Sequence, residues 1–350
     1  MSLDLNSPLP RVKLMSVEDP NRGTSLIGGK MSGVVNWNDI RYPQMYTTYR
    51  GILSNFWIPQ RVGMTDDVKQ WESLGERTRD AFIRNIAQLA TLDSKQTAAV
   101  TEFSRYLSEP TYRPIAAVIA QQEAVHNESY SYVLSSLVPL DVQNKAFEDA
   151  KSDPIVVKRN KPVDDLYQDF VDNPTPLTFF KALVSCVVLE GLNFYSTFTF
   201  FYNLARDQKM LNTSKMINYI QRDEVQHAYF FSQLVRYLLA EHPELHNEEN
   251  IKFIYSFFIR NAELEIEWSR AVLYDIEGID LDQLEGYIKN LVNRRLRGLG
   301  LENYYDVESN SMPWMIAFDD ESLQMTKSDL FENQSLAYKK VDDSNSLDDL

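Results

Sequence analysis

Cysteine and glycine are scarce in this chain of 350 residues. Cys186 is the only cysteine, so the chain can form no internal disulfide and offers no redox-active dithiol. The 12 glycines are too few for a turn-rich all-β fold. The N-terminus also lacks the basic and then apolar pattern of a secretory signal. These absences exclude a disulfide scaffold and predict a cytoplasmic protein.

Basic residues are in the minority, and long apolar runs are rare. Lys and Arg total 35 against 50 Asp and Glu, which gives a formal net charge of −15. Nucleic acid is not expected as a partner, because neutralising phosphates requires clustered Lys and Arg. The apolar run at 177–205 is long enough to cross a bilayer, but Lys181, Glu190 and Asn193 interrupt it. We predict a buried bundle helix there and no membrane partner.

Apolar and aromatic residues are plentiful by contrast. Hydrophobic residues make up 44% of the chain, with 18 Phe and 19 Tyr, which permits a large aromatic core. Residues 1–42 predict an extended N-terminal arm, residues 43–300 a helical bundle, and residues 301–350 a flexible C-terminal tail. Residues 141–176 are predicted to hold short helices outside the core. The longer predicted helices cover residues 44–54, 76–107, 114–139, 177–206, 213–241, 249–274 and 281–297.

Two of the four histidines have a glutamate three residues upstream. The pairs are Glu123 with His126 and Glu224 with His227, and each lies in a predicted helix among apolar residues. Residues three apart share one helix face, so the two side chains of each pair can coordinate one metal ion. Tyr130 lies one turn after His126 on the same face, beside the expected metal. One such pair alone is more often a surface pair, but two of them favour a metal site.

Two further carboxylates complete a ligand set. Asp93 and Glu190 lie at the apolar centres of two other predicted helices. Two single carboxylates and two Glu-x-x-His pairs are typical of a di-metal carboxylate four-helix bundle. We therefore predict an all-α fold with a ferritin-like four-helix bundle core, additional helices and extended terminal segments. Four carboxylates balance two divalent cations, and oxygen and nitrogen donors suit iron or manganese better than copper.

Taken together, these residues resemble the small, radical-generating subunit of class I ribonucleotide reductase. The resemblance extends from about residue 42 to the C-terminus. It rests on the segment 92–96 around the first carboxylate, on 123–130, on 189–194 and on 222–227. The resemblance implies a tyrosyl radical on Tyr130.

The resemblance also implies roles for residues around the metals. An apolar pocket would shield the radical, and it would consist of Phe194, Phe198 and Ile220. Three further residues would carry the oxidising equivalent away, namely Trp57, Asp223 and Tyr338. Asp223 would link Trp57 to His126, and Tyr338 would hand the equivalent to the large subunit.

The expected function follows from the same resemblance. Two metal ions per chain, iron in first place and manganese as the alternative, would activate oxygen. The radical would serve the large subunit in reducing ribonucleotides to deoxyribonucleotides. The expected partners are a second copy of the chain, the large subunit bound through the C-terminal tail, and a flavodoxin-like activator. Three alternatives stay open: a related ferritin-like di-metal oxidase, a metal-storage protein, and a reductase subunit whose oxidant stays on the metals without a tyrosyl radical.

Overall fold

Helices are the only extended secondary structure in the part that the computed structural model describes, which is residues 3–307, 311–315 and 318. Within these ranges there is no β-strand, only an isolated bridge between Ile27 and Leu107. The predicted all-α class is therefore confirmed. The α-helices of this part are α1 (Gln44–Ser54), α2 (Thr65–Trp71), α3 (Glu76–Phe103), α4 (Tyr112–Leu137), α5 (Leu140–Ser152), α6 (Pro154–Asp172), α7 (Pro176–Val188), α8 (Tyr195–Arg206), α9 (Leu211–Glu241), α10 (Glu248–Val272) and α11 (Leu281–Gly298).

The core of the bundle lies between α3, α4, α7 and α9. Helix α3 packs along α4, α7 packs against α9, and α4 also contacts α9. Helix α3 runs for 28 residues without glycine or proline, so nothing in its sequence breaks the hydrogen-bond ladder. The apolar side chains of these helices merge into one large buried cluster. Polar side chains at the middle of the helices therefore meet in a dry interior.

The helix predicted over residues 177–206 is interrupted at its centre. Helix α7 ends at Val188, the segment Leu189–Asn193 is π-helical, and α8 begins at Tyr195. We call Leu189–Asn193 the π-segment. A π-turn is a rare interruption of an α-helix with i→i+5 hydrogen bonds, and it is often found at functional sites. Arg295 Nε donates to the Gly191 carbonyl at 2.9 Å, and Arg159 donates to the carbonyl of Asn193.

The same stretch was predicted as a buried bundle helix, and its burial is as expected. The stretch Pro176–Arg206 is long and apolar enough to cross a membrane by composition alone, but 89% of its apolar window lies buried inside the protein. Its neighbours are α6, α9 and α11, which cover it on several sides.

The prediction for residues 141–176 was wrong in one respect. These residues form α5 and the 19-residue α6, and α6 belongs to the core. Tyr167 and Phe170 of α6 pack edge-on against Phe103 of α3. Charged residues alternate with these aromatic residues along α6, and Pro162 lies inside the helix, so the apolar face is hard to see in the sequence.

Residues 3–43 contain no α-helix and lie along the bundle ends. The carboxylate of Glu241, at the end of α9, fixes part of this segment. It accepts hydrogen bonds from the side chain of Arg41, from the Tyr42 hydroxyl at 2.5 Å, and from the Ser25 hydroxyl and the Leu26 backbone N–H, both at 2.8 Å. The predicted tail at 301–350 lies mostly outside the described residues.

Candidate metal centre

Six buried side chains converge at the centre of the bundle. Asp93, Glu123, His126 and Glu224 form one group whose ligand atoms lie within 4.8 Å of one another. Glu123, Glu190, Glu224 and His227 form a second group at the same spacing. We call these the His126 site and the His227 site. The six residues come from α3, α4, the π-segment and α9, and each is 0% exposed. Glu123 and Glu224 belong to both sites, as ligands that bridge two ions would.

The two histidines point the same ring nitrogen inward. His126 Nδ1 lies 3.1 Å from Glu224 Oε1 and 3.4 Å from Glu123 Oε2. His227 Nδ1 lies 2.9 Å from Glu123 Oε1 and 3.0 Å from Glu224 Oε2. The ring centroids are 6.0 Å apart. Each imidazole thus presents one nitrogen to the shared carboxylates and keeps the other for a partner outside the centre.

The outward nitrogens have different partners. His126 Nε2 lies 3.2 Å from the carboxylate oxygen Oδ2 of Asp223, whereas His227 Nε2 lies 2.9 Å from the amide oxygen of Gln122. Gln122 in turn donates its Nε2 to the Ile52 carbonyl at 3.2 Å. Such outer hydrogen bonds fix the ring orientation and tautomer of metal-binding histidines. One histidine is therefore supported by an anion and the other by a neutral amide.

The inward-facing atoms fit a pair of cations. Buried polar atoms in proteins nearly always have a hydrogen-bond partner, so orphaned ones require an explanation. Seven ligand atoms of this centre make no hydrogen bond of good geometry among the described residues, although some lie close to one another: Asp93 Oδ1 and Oδ2, Glu123 Oε1 and Oε2, His126 Nδ1, Glu190 Oε2 and Glu224 Oε1. All are oxygen or nitrogen atoms of the kind that coordinate hard divalent metal ions. The residues present can hold two metal ions.

The electrostatics of the centre lead to the same conclusion. Burial raises the pKa of Asp93 and of Glu190 well above the ordinary value, and the charge of Glu123 raises each further. Burial disfavours charge on the two histidines as well, yet the surrounding carboxylates raise both of their pKa values well above the ordinary range. The four buried carboxylates therefore disfavour one another's ionisation unless positive charge lies between them. Two divalent cations would supply that charge and neutralise the four carboxylates.

Tyr130 lies beside the His126 site. It is 1% exposed, and its hydroxyl has no hydrogen-bond partner within the described residues. Burial, and after it the negative charge of Asp93, raises the pKa of the Tyr130 phenol well above its ordinary value. The phenol is therefore neutral at rest and close to a metal-binding carboxylate.

Trp57 reaches the same site through Asp223. The Trp57 indole Nε1–H donates to Asp223 Oδ2 at 2.8 Å, and the same oxygen faces His126. The rings of Trp57 and His126 are 6.1 Å apart and inclined by 26°. The three residues named from the sequence as a linked set are thus connected by hydrogen bonds.

The remaining sequence-predicted residues divide into two cases. Phe194, Phe198 and Ile220 are 0% exposed, and the two Phe rings stack at 5.8 Å. Phe194 directly follows the π-segment, and Ile220 lies one turn before Glu224 on α9. Tyr338 lies outside the described residues.

Sequence reasoning missed several residues that support the ligands. Gln122 precedes Glu123 directly, and Gln96 lies one turn after Asp93, so ligand-flanking polar residues in buried helices were a usable signal. Tyr167 and Arg295 had no such signal, because their helices contain no ligand.

The fold and the site define a class of protein, the ferritin-like di-metal carboxylate proteins. Comparison with known proteins narrows the class. The family "Ribonucleotide reductase, small chain" matches residues 34–313. The chain is 44% identical, over 98% of its length and 99% of the relative, to the ribonucleoside-diphosphate reductase subunit beta of Halalkalibacterium halodurans. The chain therefore belongs to the ribonucleotide reductase small-chain family, and it is a subunit of an oxidoreductase.

Solved structures agree with this assignment. A putative class I ribonucleotide reductase from Bacillus halodurans shares 44% identity and superposes with a TM-score of 0.84, covering 88% of this chain and 99% of that one. The R2 subunit from Clostridium botulinum shares 32% identity with a TM-score of 0.86, covering 89% and 99%. The predicted ferritin-like architecture is confirmed. The family is that of the small subunit, which works with a large subunit.

Proposed function

We propose that the two metal sites activate oxygen and generate a tyrosyl radical on Tyr130, which the large subunit uses to reduce ribonucleotides to deoxyribonucleotides. The observation that carries this proposal is the position of Tyr130. It is a buried, neutral phenol, and it faces Asp93 of the His126 site. The related oxidase and the storage protein would need no such phenol.

The metals would be held by the six residues of the two sites, with iron in first place and manganese as the alternative. Their oxygen and nitrogen donors and their single imidazole per ion suit both metals. When bound, the ions supply the one-electron oxidising equivalent derived from oxygen. The protein holds the shared carboxylates in place and excludes water, since each ligand is 0% exposed.

The phenol of Tyr130 would give one electron to that oxidising equivalent and its proton to the neighbouring Asp93 carboxylate, because the neutral radical is the form that a buried apolar site tolerates. Phe194, Phe198 and Ile220 are proposed to protect this radical by keeping the surroundings dry. Their complete burial supports that role. The connected set of Trp57, Asp223 and His126 is proposed as the first part of the route by which the oxidising equivalent leaves the centre, since each member is hydrogen-bonded to the next.

The proposal includes the organisation of the chain and its partners. The arm at 1–42, the bundle at 43–300 and the tail at 301–350 would act as three units. Tyr338 in the tail would complete the route, and the tail would dock on the large subunit. A homodimer, a cytoplasmic location and a flavodoxin-like activator belong to the same proposal.

The test is electron paramagnetic resonance of the metal-loaded protein after exposure to air. We expect a tyrosyl signal that is lost in Tyr130→Phe. Tyr112→Phe is the matched control, because Tyr112 is equally buried on the same helix, yet it lies 18 residues earlier, about 27 Å along the helix. Retention of full reductase activity by Tyr130→Phe, with a metal-centred signal, would show that the oxidant stays on the metals.

A further inference from the structure

The side chain of Glu190 is held from outside the metal centre by a neutral pair of residues. Gln96 Nε2 donates to Glu190 Oε1 at 2.5 Å, and the Tyr167 hydroxyl donates to Gln96 Oε1 at 2.6 Å. Gln96 is 0% exposed and Tyr167 is 7% exposed, so water does not compete for these bonds. Gln96 comes from α3 and Tyr167 from α6, a helix that contributes no metal ligand.

The direction of both hydrogen bonds is fixed by chemistry. With cations bound at the centre, Glu190 would be ionised and could only accept, so the amide NH₂ of Gln96 faces it. The amide oxygen then faces Tyr167, and the phenol must be the donor. Cys186 Sγ lies 3.3 Å from the same phenol oxygen, and its thiol can donate to that oxygen in turn. Because burial raises the pKa of the Cys186 thiol, the sulfur keeps its proton for this bond. The hydrogen bonds thus form one series in which every donor points toward the metal centre, and it runs from Cys186 through Tyr167 and Gln96 to Glu190.

This series of hydrogen bonds determines which oxygen of Glu190 faces the metal centre. Oε1 is occupied by Gln96, whereas Oε2 has no hydrogen-bond partner among the described residues and lies 3.7 Å from His227 Nδ1. Glu190 belongs to the His227 site and not to the His126 site. The neutral pair therefore acts on one of the two metal sites.

The backbone that carries Glu190 differs from the backbone that carries Asp93 and Glu123. Glu190 lies in the π-segment, where the regular helical ladder is interrupted. Asp93 and Glu123, by contrast, project from uninterrupted helices. The hydrogen bond from Gln96 fixes the orientation of the Glu190 carboxylate on this segment.

We propose that Gln96 and Tyr167 are positioning residues that present Glu190 Oε2 to the metal of the His227 site. The affinity of that site then depends on a phenol hydroxyl that touches neither metal nor ligand. This inference rests on the proposed function in one respect, namely that the six residues bind two metal ions.

The test is titration of the metal-free protein with Mn²⁺, followed by the electron paramagnetic resonance signal of the free ion. We expect two ions per chain in the wild type. In Tyr167→Phe and in Gln96→Met, one of the two ions should bind about 10- to 100-fold more weakly, which is the usual effect of removing an outer partner of a metal ligand. The other ion should bind as in the wild type.

Two controls separate positioning from a general loss of structure. Tyr106→Phe removes the hydroxyl of another buried tyrosine, one that accepts a hydrogen bond from Arg11 at 3.2 Å rather than supporting a ligand, and it should bind both ions normally. The double variant Gln96→Met with Tyr167→Phe should be no weaker than Gln96→Met alone, because Tyr167 acts through Gln96.

Each outcome decides the question. Additive losses in the double variant, equal weakening of both ions, or unchanged binding in Tyr167→Phe would overturn the positioning role while leaving the two-metal centre intact. A wild-type protein that binds no Mn²⁺ and no Fe²⁺ would overturn the proposed function, and the positioning role with it.

Discussion

Gly191 and Arg295 are in contact across 104 residues of sequence. Arg295 Nε donates to the Gly191 carbonyl at 2.9 Å, and a methyl group added to Gly191 would lie 2.5 Å from that same nitrogen and 2.8 Å from Arg295 Cδ. Arg295 also donates to the Tyr195 hydroxyl at 2.8 Å. The arginine therefore fills the space that a side chain at position 191 would need, and it binds a backbone carbonyl of the π-segment.

Gly191→Ala should consequently displace Arg295 and destabilise the π-segment. We expect a loss of about 1–3 kcal/mol in the free energy of unfolding, the usual cost of overpacking a filled interior. Urea unfolding of the metal-free protein measures it. Gly298→Ala on α11 is the matched control, because its added methyl meets nothing within 4 Å, and it should be neutral or stabilising by up to about 1 kcal/mol. Equal stability of the two variants would contradict this account.

A second arginine, on α6, also binds a carbonyl of the π-segment, that of Asn193. Arg159 is 2% exposed and pairs with the fully buried Glu265, with Nη2 at 2.7 Å and Nε at 2.8 Å from Oε2. Removing one partner of such a pair leaves an uncompensated buried charge. Arg159→Met should therefore lower the free energy of unfolding by about 3–5 kcal/mol.

The residue next to Arg159 supplies the control for that experiment. Lys158 pairs with Glu267 at 2.6 Å, but both side chains are about half exposed, at 58% and 47%. Exposed ion pairs contribute about 0–1 kcal/mol, so Lys158→Met should change stability little. Both variants remove one positive charge from α6. Similar losses in the two would show that burial of the Arg159 pair is not what stabilises this region.

Helical periodicity explains why the sequence predicted so much of the centre. The three-residue spacing of Glu123 and His126 places both side chains on one face of a helix, independently of contacts with the rest of the chain. Helix α1 was likewise predicted at 44–54 and observed at Gln44–Ser54. The π-segment could not be predicted in this way. Its carbonyls bind Arg159 of α6 and Arg295 of α11, and the local sequence of the π-segment does not reveal such contacts with distant helices.

Asp223 lies between Trp57 and His126, and its charge should matter to metal binding. Asp223→Asn keeps a carbonyl oxygen for the indole N–H but removes the anion facing His126 Nε2. We expect the ion at the His126 site to bind about 10- to 100-fold more weakly, with the His227 site unchanged. Mn²⁺ titration measures this.

Trp57→Phe is the complementary variant. It deletes the indole N–H and leaves the contact between Asp223 and His126 in place, so both ions should bind nearly as in the wild type. Under the proposed function it should nevertheless lose activity with the large subunit. Normal activity in Trp57→Phe would remove Trp57 from the proposed route without affecting the metal sites.

Glu241 gives the attachment of the N-terminal segment a dependence on pH. Burial alone would raise the pKa of this carboxyl, but hydrogen bonds from Tyr42, from the Leu26 backbone and from Arg41 together lower it below the ordinary value of 4.5. A carboxyl whose pKa is lower in the folded state stabilises that state fully above the unfolded-state pKa. The stabilisation is lost as the pH falls through the folded-state pKa.

Glu241→Gln should therefore reduce stability at pH 6 to 7 and have a smaller effect as the pH falls below about 4.5, the ordinary value for this carboxyl. The measurement is urea unfolding of wild type and variant at matched pH values. The buried carboxylates of the metal centre are the same in both proteins, so the difference in their free energies of unfolding reports on Glu241 alone. Glu249→Gln, at an exposed position near the start of α10, is the control and should track the wild type at every pH. A difference between Glu241→Gln and wild type that stays constant from pH 7 down to pH 3 would show that the Glu241 hydrogen bonds do not depend on its charge.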